Sequence, residues 1–255
     1  MTIAAILCLC TAEADAQETD ADNGIIEVSL VDSFAELEGG YLVRPDAPGR
    51  RALVILSHGR WDLAEDLREL ADRLARRGYA VLLRRPMTTS MRPDDLRDLR
   101  HSLVRLSSAP WVDPRRIALV GFCGGGYQSL LLASEADVDL AAVASFYGPL
   151  DFPDRFQPEQ GTPFSDLFDS IGRIRAPVQG HYGDQDAIIP ASDVLRLTRT
   201  MDERDREAEI FMYDGAEHGF CDRTHGHYDE SACRVAIDRL FEFLDRHIFP
   251  EQSHE

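Results

Sequence analysis

Lysine is absent from all 255 residues, so each of the 27 basic side chains is an arginine. Any lysine-dependent mechanism is therefore excluded, as is a phosphate loop built on Gly-Lys-Ser/Thr. Positive charge is scarce altogether, because 45 acidic residues leave a formal net charge of −18. An acidic chain without a basic stripe repels phosphate backbones, which argues against nucleic acid and against anionic membrane surfaces as partners. Long apolar runs are missing too. The run from Ile3 to Cys10 falls short of the roughly 20 residues that a spanning helix needs, and no later run is long enough.

Cysteine is sparse, with five in the chain. Two of them, Cys8 and Cys10, lie in the short apolar run, which leads to Ala14-Asp15-Ala16 before Gln17, a small-x-small pattern like a secretory cleavage site. No positive charge precedes that run. Residues 1–16 are thus expected to be a signal peptide and 17–255 a single mature domain, exported to the periplasm or secreted. If the segment is a retained buried strand instead, the protein is cytoplasmic. Cleavage leaves Cys123, Cys221 and Cys233. An odd count in an oxidising compartment often means one bond and one free thiol. Cys221 and Cys233, flanking "DRTHGHYDESA", are the candidate pair, with Cys123 the free thiol. Together with His225 and His227 they match no common zinc-ligand spacing, so no metal site is assigned.

What the chain does have is a core and an alternation. It is 44% hydrophobic and 28% charged, the balance of a globular protein. "GIIEVSLV" and "GYLVRP" read as two strands near the start. "ALVILSHG" (52–59) is a continuous apolar run, as in a strand buried on both faces of a parallel sheet. The segment after it carries Leu63, Leu67, Leu70 and Leu74 at helical spacing and stops at Gly78. "YAVLLRR", "RRIALV", "LAAVASFYG", "APVQGHYG" and "EAEIFMYDG" read as further strands. Helical patterns cover 93–107, 124–134, 191–203 and 229–248. Strands alternating with helices of this length predict an α/β fold, a mostly parallel central sheet with helices on both faces. The irregular stretch from Leu150 to Gly172 is long enough to serve as a lid.

Within that pattern, "IALVGFCGGGYQSLLLAS" (117–134) places Cys123 on a sharp turn between a strand and a helix. In such sheets ligands sit beyond the carboxyl ends of the strands, so Cys123 faces a crevice. Glycines around it permit the tight bend of a nucleophile elbow. The helix beginning at Gly124 brings its positive end and unpaired amides, favouring a thiolate and a nearby oxyanion. Read alone, the turn equally suits a small buried structural cysteine. Two later loops change that. "HYGDQDAIIP" follows a strand and offers Asp184 or Asp186, either of which could orient a histidine. "YDGAEHGF" follows another and supplies His218. Nucleophile, acid and histidine then occur in the chain order of α/β-hydrolases. At the end of an earlier strand, Gly59 would donate an oxyanion N–H alongside Gly124.

Gly-Phe-Cys-Gly-Gly-Gly at 121–126, Gly183-Asp184-Gln185-Asp186 with Pro190 following, and Glu217-His218-Gly219-Phe220 together resemble the dienelactone hydrolase family, over about Tyr41 to Leu244. The resemblance implies the α/β-hydrolase fold, with Cys123 as nucleophile, His218 as general base and acid, and Asp186 as its orienter. It implies hydrolysis of a small carboxylic ester or lactone, or a thioester, through an acyl-cysteine, with no metal or organic cofactor. Enzymes of the family acting on dienelactone carry a glutamate where this chain has His58, so chlorocatechol-type specificity is not carried over. An imidazolium at 58 favours a thiolate, whereas a neutral ring only hydrogen-bonds the thiol. Arg84, Arg85 and Arg223 are candidates for gripping a substrate carboxylate. The alternative is a non-catalytic or redox-responsive exported binding protein on the same scaffold. No oligomeric state is assigned.

Overall fold

The computed structural model describes residues 19–20, 24–28, 37, 40–59, 64–85, 93–151, 167–224 and 226–249. The expected signal peptide (1–16), most of the expected lid (152–166), Leu63, Trp61 and His225 lie outside them. Nine strands form one sheet: β1 (Thr19–Asp20), β2 (Ile25–Glu27), β3 (Tyr41–Pro45), β4 (Arg51–His58), β5 (Ala80–Leu83), β6 (Val112–Phe122), β7 (Ala142–Phe146), β8 (Val178–Gly183) and β9 (Ala208–Tyr213). Their spatial order is β1-β2-β3-β5-β4-β6-β7-β8-β9. The pairs from β5 through β9 are parallel, and β1, β2 and β3 extend the sheet antiparallel beyond β5.

Among the described residues, five α-helices cover the two faces: α1 (Ala64–Arg76), α2 (Pro93–Ser107), α3 (Gly124–Ala133), α4 (Ala191–Glu203) and α5 (Glu230–Ile248). β4 is buried from Ala52 to His58 because helices flank it on both sides, which explains its unbroken apolar run. In α1 the residues at helical spacing, Leu67, Leu70, Ala71, Leu74 and Ala75, are the buried ones. The last helix is started by Asp229, whose Oδ1 accepts the Ala232 N–H at 2.9 Å. Among the described residues, no helix is long and apolar enough to cross a membrane.

The connections define where a site can sit. After β4 the chain builds β5 on one side of it and then returns to build β6 on the other. β4 and β6 therefore flank the topological switch point, and the crevice opens beyond their carboxyl ends. In register, Ser57 lies opposite Gly121 and His58 opposite Phe122. The next positions are Gly59 and Cys123, so the strand ends deliver both to the same crevice.

α3 departs from this edge at very close range. A Cβ on Gly125 would lie 2.3 Å from the Ser57 carbonyl oxygen, and one on Gly121 would lie 2.1 Å from the Gly125 oxygen. Real Cβ atoms do not approach backbone that closely, and neither the strand nor the helix start can yield without opening the sheet. Gly125→Ala should therefore destabilise the protein by about 3 kcal/mol or more, seen as a fall in Tm of about 6–12 °C by circular dichroism melting. An unchanged Tm would show that this approach is loose.

Candidate active site

Cys123 occupies the bend between β6 and α3 with φ 52° and ψ −124°, a left-handed conformation that few non-glycine residues adopt. Its backbone is over-determined. The Cys123 N–H donates to the Phe146 carbonyl at 2.9 Å, and its own carbonyl accepts the Gly126 N–H at 2.9 Å. The side chain makes no helix-capping bond, so the sulfur is left to other partners. It is the one free cysteine among the described residues, because Cys221 and Cys233 are joined in a disulfide. Gly124 begins α3, and its N–H is among those a helix start leaves unpaired within the helix.

His218, in the loop between β9 and α5, reaches the sulfur with Nε2 at 3.2 Å from Cys123 Sγ. Its Nδ1 lies 2.8 Å from Asp186 Oδ2, so Nδ1–H donates to the carboxylate. Asp186 is fixed in turn by two amides: Ile188 and Ile189 N–H donate to Oδ1 at 2.7 and 2.9 Å. The neighbouring Asp184 does a different job, accepting the Gly215 N–H at 2.8 Å and tying the two loops together. Geometry thus selects Asp186 over Asp184 as the carboxylate facing the histidine.

The Asp186 side chain is wholly buried and that of His218 is 17% exposed. Burial alone would push an imidazole toward its neutral form. Hydrogen bonds to Asp186 and Cys123 and the charges of both outweigh it and raise the His218 pKa to about 10. The ring is then protonated at neutral pH and donates to both neighbours.

Tyr147 is a component that sequence reasoning did not assign a role. It follows β7 with φ 38°, is buried, and presents its ring edge-on to His218 at 5.3 Å between centroids. Phe220 and Phe122 pack against it at 5.3 and 6.2 Å. Burial, aided by the charge of Cys123, raises its pKa and keeps it a neutral phenol. The Tyr147 N–H donates to the His181 carbonyl at 2.7 Å. His181 itself is fully buried between Tyr213 Oη (2.7 Å) and Gln179 Oε1 (2.9 Å), and burial beside Arg239 lowers its pKa to about 3. It is a neutral brace between β8 and β9. The position of Tyr147 at a strand end, next to Gly148, was the available signal.

The expected arginines divide. Arg223 is bonded to Asp66 at 2.8 Å and to Glu69 at 2.5 Å, both on α1, and it ties the histidine loop to that helix. Arg85 is exposed and pairs with Asp98 of α2 at 3.3 Å. Both guanidiniums are paired with carboxylates of the protein, in contrast to a free substrate grip. Arg84 is buried and points at Ser57 Oγ (3.5 Å) and the Asp95 carbonyl (3.3 Å). Desolvation lowers its pKa to about 10. His58 is buried at the end of β4. The disulfide joins Cys221, three residues after His218, to α5.

The arrangement contains a sulfur, a proton carrier in contact with it and a fixed anion behind that carrier, at the crevice of an α/β sheet. The sequence profile of the dienelactone hydrolase family matches residues 84–248. A Bradyrhizobium protein named as a probable 2-oxo-3-(5-oxofuran-2-ylidene)propanoate lactonase is 26% identical over 226 residues, covering 82% of this chain and 89% of its own. A Synechocystis protein provisionally named a carboxymethylenebutenolidase is 27% identical, covering 80% and 90%. A crystal structure of a provisionally named dienelactone hydrolase from Klebsiella pneumoniae superposes with a TM-score of 0.69 at 25% identity, covering 81% of this chain and 92% of that one.

If Asp186 holds the proton on His218, Asp186→Asn should drop the imidazole pKa from about 10 toward or below the usual 6.5. NMR titration of the ring protons reads this directly. A titration unchanged by the substitution would contradict the electrostatic account.

Proposed function

The chain belongs to the dienelactone hydrolase family and is a hydrolase, and from that premise we propose that it cleaves small carboxylic esters or lactones through an acyl-cysteine at Cys123. The observation that carries this reading is the continuous hydrogen-bonded chain from Asp186 through His218 to the Cys123 sulfur. The names of the Bradyrhizobium and Synechocystis relatives support the lactone side of the reading.

In the first half-reaction, the Cys123 thiolate attacks the substrate carbonyl carbon, and the carbonyl π electrons move to oxygen. Gly59 and Gly124 N–H groups donate to that oxyanion. As the C–O bond to the leaving group breaks, His218 Nε2–H gives its proton to the departing alkoxide. A lactone opens at this step and its alcohol stays attached to the acyl group. In the second half-reaction, now-neutral Nε2 takes a proton from water while the water oxygen attacks the thioester carbon. Collapse expels the Cys123 thiolate beside a re-protonated His218, which restores the starting pair. Asp186 stays ionised throughout and holds the ring by Nδ1. Small thioesters are within reach of the same chemistry, since acyl transfer between sulfurs needs only a thiol leaving group.

Two further assignments belong to this proposal. A disulfide at Cys221–Cys233 favours an oxidising compartment, consistent with export and removal of residues 1–16. The buried Arg84 beside Ser57 supports recognition of an anionic substrate group at that edge of the crevice.

A short-acyl p-nitrophenyl ester assay tests the mechanism. Cys123→Ala should lose about 10³-fold or more in kcat/KM, and iodoacetamide should abolish the wild-type rate. His218→Ala should be acylated at most once per molecule, an adduct visible by intact mass. Full activity of the alkylated protein, or repeated turnover by the His218 variant, would sink these roles.

A further inference from the structure

At the opposite end of α3 from Cys123, about 15 Å away along a ten-residue helix, lies a cavity of about 710 Å³. Its charged lining is Arg173, Arg175, Arg204 and Arg206 against Glu135 and Asp169. We infer that this cavity is a binding site for a small multivalent oxyanion, an oligocarboxylate or oligophosphate, separate from the catalytic crevice.

The first argument is the way these arginines are left unpaired. Several guanidiniums elsewhere find carboxylates or aromatic faces: Arg246 bonds Glu209 at 2.6 Å, Arg100 bonds Asp137 at 2.9 Å, and Arg196 lies over Phe168 at 3.8 Å. Others, such as Arg51 and Arg84, have only carbonyl or hydroxyl partners, so what sets the cavity apart is that four such arginines share one lining. With 45 acidic residues against 27 arginines, a carboxylate partner is the easy outcome. None of the four cavity arginines has one among the described residues. Arg175 donates to the Ala136 and Val138 carbonyls at 3.2 Å each, and Arg206 Nε donates to the Gly172 carbonyl at 3.2 Å. The side chains of Arg173 and Arg204 have no hydrogen bond or ion pair among the described residues, and both residues are exposed.

The second argument is the local charge balance. Glu135 is bonded to Arg100, which leaves Asp169 as the unpaired acid of the lining. The carboxyl end of α3 adds about half a negative charge, and Arg175, bonded to the turn that follows that helix, answers it. Within the lining itself, Arg173, Arg204 and Arg206 then outnumber Asp169. The guanidiniums of Arg175 and Arg206 are anchored by carbonyls, and all four present forks suited to planar carboxylate or to phosphate oxygens. A single monovalent ion would satisfy one of four; an ion with two or more charged groups matches the set. Such a ligand would join the segment after the lid region (Arg173, Arg175) to the α4–β9 turn (Arg204, Arg206).

Thermal melts of the full protein with citrate or pyrophosphate, against acetate and chloride at matched ionic strength, test the site. Cys123 is alkylated beforehand, so that the catalytic crevice does not contribute. A saturable rise in Tm of about 4 °C is expected with at least one polyanion, and which one responds separates carboxylate from phosphate chemistry. In Arg173→Gln/Arg204→Gln, whose unliganded Tm should match the parent, the midpoint concentration should rise at least tenfold. No saturable rise, an equal rise with acetate, or an unchanged midpoint in the double variant would overturn the site. So would loss of a wild-type dimer in the double variant without any anion effect, which would assign the face to a second copy.

Discussion

At residue 123 a cysteine is held in a backbone conformation it would not choose, and the surrounding architecture depends on keeping it there. The φ of 52° is sustained by the amide bond to Phe146, the carbonyl bond from Gly126, and the approach of α3 to β4 across Gly125. Every one of these belongs to the core of a parallel sheet, whose central strands are buried on both faces. The cost of the strained residue, on the order of 1–3 kcal/mol, is met by packing that cannot relax locally. The sulfur consequently points into the crevice rather than capping the helix that follows it. Register does the rest, since the same strand ends that carry Cys123 carry Gly59.

The electrostatics of the site follow from a competition that burial loses. A mostly buried imidazole should shed its proton, yet His218 is held protonated because a fully buried carboxylate contacts one nitrogen and the sulfur contacts the other. His181 is the control within the same molecule. It too is buried, but its partners are a phenol and an amide, with an arginine nearby, and its pKa goes down to about 3. Two buried histidines therefore carry opposite charge states because of what faces them. Tyr147, wedged edge-on against His218, fixes the ring plane without adding charge.

Much of this was legible in the amino-acid sequence because it is local. Continuous apolar runs marked the parallel strands, the glycine-flanked cysteine marked the elbow, and the chain order of Cys123, Asp186 and His218 matched a sheet with its site at the strand ends. The choice between Asp184 and Asp186 was not legible from composition, since it rests on an Asx turn that aims one carboxylate at the ring and the other at the Gly215 amide. The ion pairs of Arg85 and Arg223 were hidden for a related reason. Long side chains are claimed by whichever helix packs nearby, and the placement of α1 and α2 beside them is a tertiary fact. The outermost strand β1 was equally hidden, because a two-residue strand paired mainly by backbone carries almost no pattern.

The disulfide that anchors the histidine loop has a bearing on how the chain acquires its native state. Three cysteines among the described residues permit three pairings, and two of them would consume Cys123. Cys221 and Cys233 are separated by 12 residues, whereas either pairing with Cys123 closes a loop of roughly a hundred residues, which chain entropy disfavours. The bond forming between nearest neighbours is thus the one that spares Cys123, and later exchange is opposed once the elbow holds its sulfur against His218. Among these three cysteines, contour length alone biases pairing toward the isomer that keeps Cys123 reduced, before any tertiary contact has formed.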